Sequence, residues 1–75
     1  MKELAEFLIR KLADNPEQDS VVESEAAGTV TFKLLVADED KGKIIGKKGK
    51  VIRAIRALVA AAGAKDHKKT MVEID

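Results

Sequence analysis

Residue types and spacing suggest chemistry in one stretch of the chain, Lys41–Arg56, which reads KGKIIGKKGKVIRAIR. Gly46 and Gly49 stand between hydrophobic anchors, Ile44 and Ile45 before them and Val51 and Ile52 after. Glycine reaches positive φ without steric cost and lets another backbone come close. A loop that opens onto a helix N-terminus also presents free N–H groups and the positive end of the helix dipole, and both favour an anion. Lys47, Lys48 and Lys50 crowd that same end, where cations are least welcome. Lys47/Lys50, Lys50/Arg53 and Arg53/Arg56 add like-charge pairs at i,i+3, each destabilising an isolated helix by about 0.2–0.5 kcal/mol. No Asp or Glu occurs between Lys41 and Lys65 to relieve them. A charge run is usually a solvated face and a glycine pair usually a turn. A local rule broken repeatedly without local compensation marks a functional site instead. The missing counter-charge is most simply a phosphate backbone.

Whole-chain charge hides this segment. The formal net charge is only +1. Residues 1–40 carry ten acids and four bases (net −6), while residues 41–75 carry ten bases and three acids (net +7). The molecule is a dipole with one strongly basic side. Other phosphate-binding loops fail on spacing. A Walker A loop needs four residues between its glycines and a hydroxyl after Gly-Lys, whereas Gly42 and Gly46 enclose three and Lys48 follows Gly46-Lys47. Gly42, Gly46 and Gly49 do not fit the dinucleotide fingerprint either. The basic half offers no acid/base pair, no nucleophile with a base and no metal cluster, so an enzyme is not expected, nor a metal or other cofactor. His67, the single histidine, reads as a surface residue in a Lys-rich loop.

The elements that must position this segment are legible in outline. Leu4, Phe7, Leu8 and Leu12 recur at helical spacing, with Ala5 and Ile9 beside them, so Lys2–Ala13 is expected as an amphipathic helix ended by Asp14-Asn15-Pro16. A weak strand is expected from Val21 to about Glu25, and a hairpin turn at Ala27-Gly28. Val30, Phe32, Leu34 and Val36 then alternate with polar residues as a clear strand. Asp38 is a candidate cap for a short helix reaching Ile45, with Glu39 and Asp40 in its first turn. A longer helix from Lys50 to about Ala62 would bury Val51, Ile52, Ile55, Leu58, Val59 and Ala62, with Gly63 as its stop. Thr70–Ile74 closes the chain as a strand. The expected class is α+β, ordered α-β-β-α-α-β, a single domain over 1–75 whose three strands form one mixed sheet covered on one face by helices.

Composition narrows the partners. Phe7 and Phe32 are the only aromatics, so any base stacking must use aliphatic side chains or Arg planes. The chain has no Cys, which excludes disulfides and thiolate metal sites and suits a reducing cytosol. With no signal-peptide pattern and no apolar run near 18 residues, the expectation is a cytoplasmic protein without a membrane partner.

Ile45-Gly46-Lys47-Lys48-Gly49-Lys50-Val51-Ile52 resembles the signature of KH domains, in which a GxxG loop joins two helices and clamps about four nucleotides of single strand. The element order resembles the type II, prokaryotic KH arrangement. The first helix, Asp14-Asn15-Pro16 and the alternating strand before Ala37-Asp38 are further similar to the bacterial KhpA family. The resemblance covers nearly the whole chain and is most specific across 41–56; the poor strand former Ser20–Ala27 departs from it mildly. It implies a non-enzymatic binder of single-stranded RNA, an RNA chaperone or post-transcriptional regulator. It also implies a larger KhpB-type partner and a link to cell shape and cell-wall biogenesis. Carried onto this sequence, Gly46 and Gly49 would admit the phosphodiester backbone, and Lys47 and Lys48 would neutralise phosphates. Lys43 and Lys50 would flank the strand. Ile44 or Ile45, with Ile52, would floor the groove. Arg53 is read either as a base contact or as a solvated side chain, and Gly42 either as permitting close passage of the nucleic acid or as permitting tight helix packing, with packing slightly favoured. Ala57, Ala60, Ala61 and Ala64 lie on the uncommitted side of the long helix, where small residues would allow a homodimer. The alternative is an interaction or dimerisation module with a vestigial groove.

Overall fold

The computed structural model describes residues 1–75, the side chain of Pro16 apart. Helix α1 spans Lys2–Leu12, strands β1 and β2 span Ser20–Ala26 and Thr29–Leu35, helices α2 and α3 span Asp38–Ile45 and Lys50–Lys65, and β3 spans Lys69–Ile74. Single 3-10 turns lie at Pro16–Gln18 and Lys47–Gly49. This is the expected α-β-β-α-α-β order. The sheet runs β1-β2-β3. β1 pairs antiparallel with β2, Val22 opposite Lys33, and β2 pairs parallel with β3, Phe32 opposite Val72. The hairpin between β1 and β2 turns on two residues at positive φ, Ala27 (53°) and Gly28 (80°), as the right-handed twist of the strands favours. The parallel return to β3 is made by α2 and α3.

Alternation in β2 sends Val30, Phe32 and Leu34 to the helix-covered face, where all three are buried. Ala5 and Ile9 of α1, Ile44 of α2, and Ile52, Ile55 and Val59 of α3 close over them. β1 is a full seven-residue strand despite its weak pattern, because pairing with β2 supplies what its own residues do not.

Four expectations need correction, the last of them the cap of α2. In α1 the buried residues are Ala5 and Ile9, with Leu8 and Leu12 packed partly against the core, whereas Phe7 is 53% exposed with the Lys11 ammonium 5.5 Å from its ring centroid. Two apolar stripes fit the same spacing, and the one through small Ala5 brings the helix backbone closer to the sheet. In α3 Leu58 is 49% exposed, and the buried line is Ile52, Ile55, Val59 and Gly63. Gly63 does not stop the helix. A Cβ there would come within 2.5 Å of Thr70 Cγ2 and 3.1 Å of the Lys68 carbonyl oxygen, so the glycine permits close helix–strand approach. The stop is His67, left-handed at φ 57°: the Lys68 N–H donates to the Gly63 carbonyl (3.0 Å) and the His67 N–H to that of Ala64 (3.1 Å).

α2 is anchored by a carboxylate rather than capped by one. Ala37 occupies the N-cap position, Asp38 follows inside the helix, and Asp40 is fully buried. The Asp40 carboxylate accepts the backbone N–H groups of Asp14 (3.0 Å) and Asn15 (3.1 Å) and the Asn15 side-chain amide (3.4 Å). Burial pushes its carboxyl up, but these donors outweigh burial and hold it below its ordinary range. Neighbouring Asp19, which accepts the Ala37 N–H at 2.8 Å, is pushed up by burial with the Asp40 charge beside it. The link between α1 and β1 is thereby fastened to the helix that leads into the glycine loop.

Candidate nucleic-acid interface

α2 ends at Ile45, where the Gly46 N–H closes the last turn on the Gly42 carbonyl (2.8 Å). Gly46 then adopts φ 78°, ψ 170°, a region open essentially to glycine alone. A Cβ at Gly46 would also clash with Val51 Cγ2 and sit 2.8 Å from the Val51 backbone nitrogen. Gly49, the N-cap of α3, is left-handed (φ 75°, ψ 16°), and its N–H donates to the Gly46 carbonyl at 3.1 Å. An added Cβ at Gly49 would meet nothing nearer than Ile52 Cγ2 at 4.0 Å, so this position needs handedness but not space. Between them Lys48 is left-handed as well (φ 56°, ψ 26°), although it is not a glycine. Lys47 and Lys48 are both exposed.

Arg53, one turn into α3, reaches back to this loop. Its Nη2 donates to the Lys48 carbonyl (2.7 Å) and its Nε to the Gly49 carbonyl (3.2 Å). Ion pairing divides the basic residues. Lys41 pairs with Asp38 (3.1 Å), Lys43 with Asp14, and Lys68 with Glu25 (2.8 Å). Among the described residues no carboxylate lies within 4.0 Å of Lys47, Lys48, Lys50, Arg53 or Arg56. The unrelieved charge read from the sequence is therefore unrelieved in the fold, Lys41 and Lys43 excepted.

The apolar residues beside the loop separate by burial. Ile44 is fully buried in the core and cannot floor a groove; Ile45 is 36% exposed and can. Ile52 is only 6% exposed, so most of its surface serves the core. A Cβ on Gly42 would find nothing within 4 Å, which overturns the helix-packing explanation of that glycine.

Sequence reasoning missed the opposite wall. An open groove of about 380 Å³ runs between α3 and β3, lined by Arg56, Ala60, Thr70, Met71 and Val72. β3 is an edge strand paired only with β2, and the Arg56 Nε donates to the Val72 carbonyl at 3.3 Å. On α3 the groove is lined by Arg56 and Ala60, whereas Ala57 and Ala61 lie opposite the buried line of Ile52, Ile55, Val59 and Gly63. Ala57, Ala60, Ala61 and Ala64 are all exposed, and of these four Ala60 lines the groove. The sequence signal was present in that basic and small-residue flank; what it lacked was the strand opposite. Among the described residues no group of His, Cys, Asp or Glu could hold a metal ion, and no helix is long and apolar enough to cross a membrane.

Comparison with known proteins identifies the family. The family model described as KhpA/KhpB, KH domain, matches residues 2–74. An RNA-binding protein KhpA from Clostridium perfringens is 45% identical over 74 residues, covering 99% of each chain. One from Listeria monocytogenes is 42% identical, covering 99% of this chain and 97% of its own, and one from Chlamydia trachomatis is 39% identical, covering 99% and 95%. These relatives carry the name of a binding protein, not of an enzyme. With a family model over 73 of its 75 residues and relatives 39–45% identical over 74 residues, the chain belongs to the KhpA/KhpB family of KH domains.

Proposed function

We propose that this protein holds single-stranded RNA across the GxxG loop and along the α3–β3 groove, without catalysing any reaction on it. One observation carries the reading: Lys47, Lys48 and Lys50 gather at the N-terminus of α3 with no carboxylate within ion-pair distance. That arrangement is unfavourable until an anion arrives. Gly46 and Gly49 let the phosphodiester backbone approach, Lys47 and Lys48 neutralise phosphates, and Lys50 continues the basic track. Ile45 supplies an apolar surface for a base at the loop end, and Ala60 with the β3 edge supplies it farther along. Paired to Asp14, Lys43 contributes less than the loop lysines. The biological role that fits is a cytoplasmic RNA chaperone or post-transcriptional regulator, able to join a larger KhpB-type partner.

Exposed Leu58 beside Ala61 on the outward face of α3 favours self-association as well, and sedimentation of wild type against Leu58→Glu would show a dimer lost if this face pairs. An interaction module with a vestigial groove would not need unpaired charge around the loop, which is why the RNA reading is preferred. It is tested by fluorescence anisotropy with a short labelled RNA at several salt concentrations. A grip on about four nucleotides gives a slope of log K against log salt near −3, at roughly −0.7 per phosphate. A slope near zero removes the phosphate clamp.

A further inference from the structure

Lys48 sits in a backbone conformation that a non-glycine residue adopts only under constraint, and it is followed directly by left-handed Gly49. The loop itself contributes two backbone hydrogen bonds, from the Gly49 N–H to the Gly46 carbonyl (3.1 Å) and from the Lys50 N–H to the Lys47 carbonyl. Lys47–Gly49 is a single 3-10 turn, and neither loop lysine is buried or ion-paired among the described residues. Arg53 adds the side-chain contacts to this turn. Its guanidinium sets two donors on the carbonyls of the two consecutive left-handed residues, at 2.7 Å on Lys48 and 3.2 Å on Gly49. A planar fork with fixed donor directions suits two neighbouring acceptors in a way that a single ammonium does not. Those carbonyls turn only when residues 48 and 49 leave the left-handed region, so the two hydrogen bonds report on loop conformation directly.

We propose that Arg53 is a positioning residue that braces the GxxG loop: it serves RNA binding by holding Lys48 and Gly49 left-handed, not by touching the nucleic acid. This rests on the reading of the loop as the RNA clamp. A loop already in its binding conformation has less ordering left to do when the strand arrives, so the brace appears as affinity. A base-contacting Arg53 would act through its own contact with RNA, and a merely cationic Arg53 through its charge.

Four proteins separate these roles: wild type, Arg53→Lys, Lys48→Gly and the double variant. Each is titrated against the same short labelled single-stranded RNA at one salt concentration, and the free proteins are compared by amide NMR spectra. Arg53→Lys keeps the charge and removes the fork. In the wild-type background it should weaken RNA binding about tenfold, the scale of releasing one strained left-handed residue. It should also shift the Lys48 and Gly49 amide signals without RNA present. Glycine takes the left-handed region about as readily as the right, so with Lys48→Gly in place the same Arg53→Lys change should cost about twofold or less. Equal losses in the two backgrounds would show Arg53 touching RNA, and no loss in either would show that the loop needs no brace; both results overturn the proposal. Failure of the RNA reading itself looks different, because wild type would then show no salt-dependent affinity for the probe at all.

Discussion

Gly46 and Gly49 occupy equivalent places in a motif, yet their residue-level reasons differ. Gly49 needs positive φ and has room for a methyl; Gly46 needs a glycine-only conformation and has Val51 where the methyl would go. Gly42, exposed and free of neighbours, needs neither. An alanine series should therefore separate under urea denaturation. Gly42→Ala should stabilise the fold by about 0.5–1 kcal/mol, since glycine in a helix interior is penalised relative to alanine. Gly49→Ala should cost about 1–2 kcal/mol for a forced left-handed alanine. Gly46→Ala should cost about 3 kcal/mol or more, adding overpacking against Val51 to the backbone strain. Equal costs at 46 and 49 would contradict this account. The glycine loop and its lysines were legible in sequence because spacing and charge are local properties. Which of Ile44 and Ile45 faces outward was not, since adjacent apolar residues at a helix end look alike until the core claims one. Nor was the occupation of Arg53, because nothing in a sequence shows that Lys48 is left-handed.

Among the elements, α2 is the short helix that delivers the loop, and Asp40 is what ties it to the rest of the fold. The sequence presented Asp40 as one of three acids in a first turn, useful to the dipole. Its hydrogen-bond partners lie 25 and 26 residues away, beyond the reach of any local pattern. Gly63 was misjudged for the same reason: Thr70, which requires its small size, belongs to a different element. Hairpin, strand alternation and element order were readable because each is set by its own few residues. The Asp40 clamp has a pH signature. The folded-state value of its carboxyl is depressed, so the stability it contributes is fully present above the unfolded value of 3.8 and is lost as pH falls through the lower folded value. Asp19 acts in the opposite sense: its folded-state value is raised, so its ionised form costs stability at neutral pH, and that cost is relieved as it protonates. Asp40→Asn should lower stability at neutral pH and narrow the gap to wild type as the solution is acidified below about pH 4, the ordinary carboxylate range. Thermal melts of both proteins from pH 7 to 2 would show it. Parallel melting curves across that range would mean that the Asp40 charge contributes nothing to holding α2.

For the whole molecule the decisive property is the separation of charge, net −6 over residues 1–40 against net +7 over residues 41–75, in a body measuring 34 × 23 × 17 Å. At physiological salt the screening length is about 8 Å, and the acids of residues 1–40 that pair across the division reach Lys41, Lys43 and Lys68 but not Lys47, Lys48 or Lys50. The unpaired lysines at the loop would attract a phosphate backbone before contact is made. The strand would then meet the glycine loop first and lie along α3 toward the β3 edge, where Arg56 and Ala60 line the groove. That second wall exists only because the parallel return places β3 beside the basic flank of α3, a consequence of topology that no stretch of sequence displays by itself. The central claim is that RNA is held through Lys47 and Lys48, and replacing both with Asp tests it most directly. Both side chains are exposed on the loop, and acids suit a helix N-terminus, so circular dichroism and a thermal melt should show a fold intact or slightly more stable than wild type. Fluorescence anisotropy with a short labelled single-stranded RNA should show binding abolished. A folded double-Asp protein that binds the RNA as well as wild type would contradict the clamp.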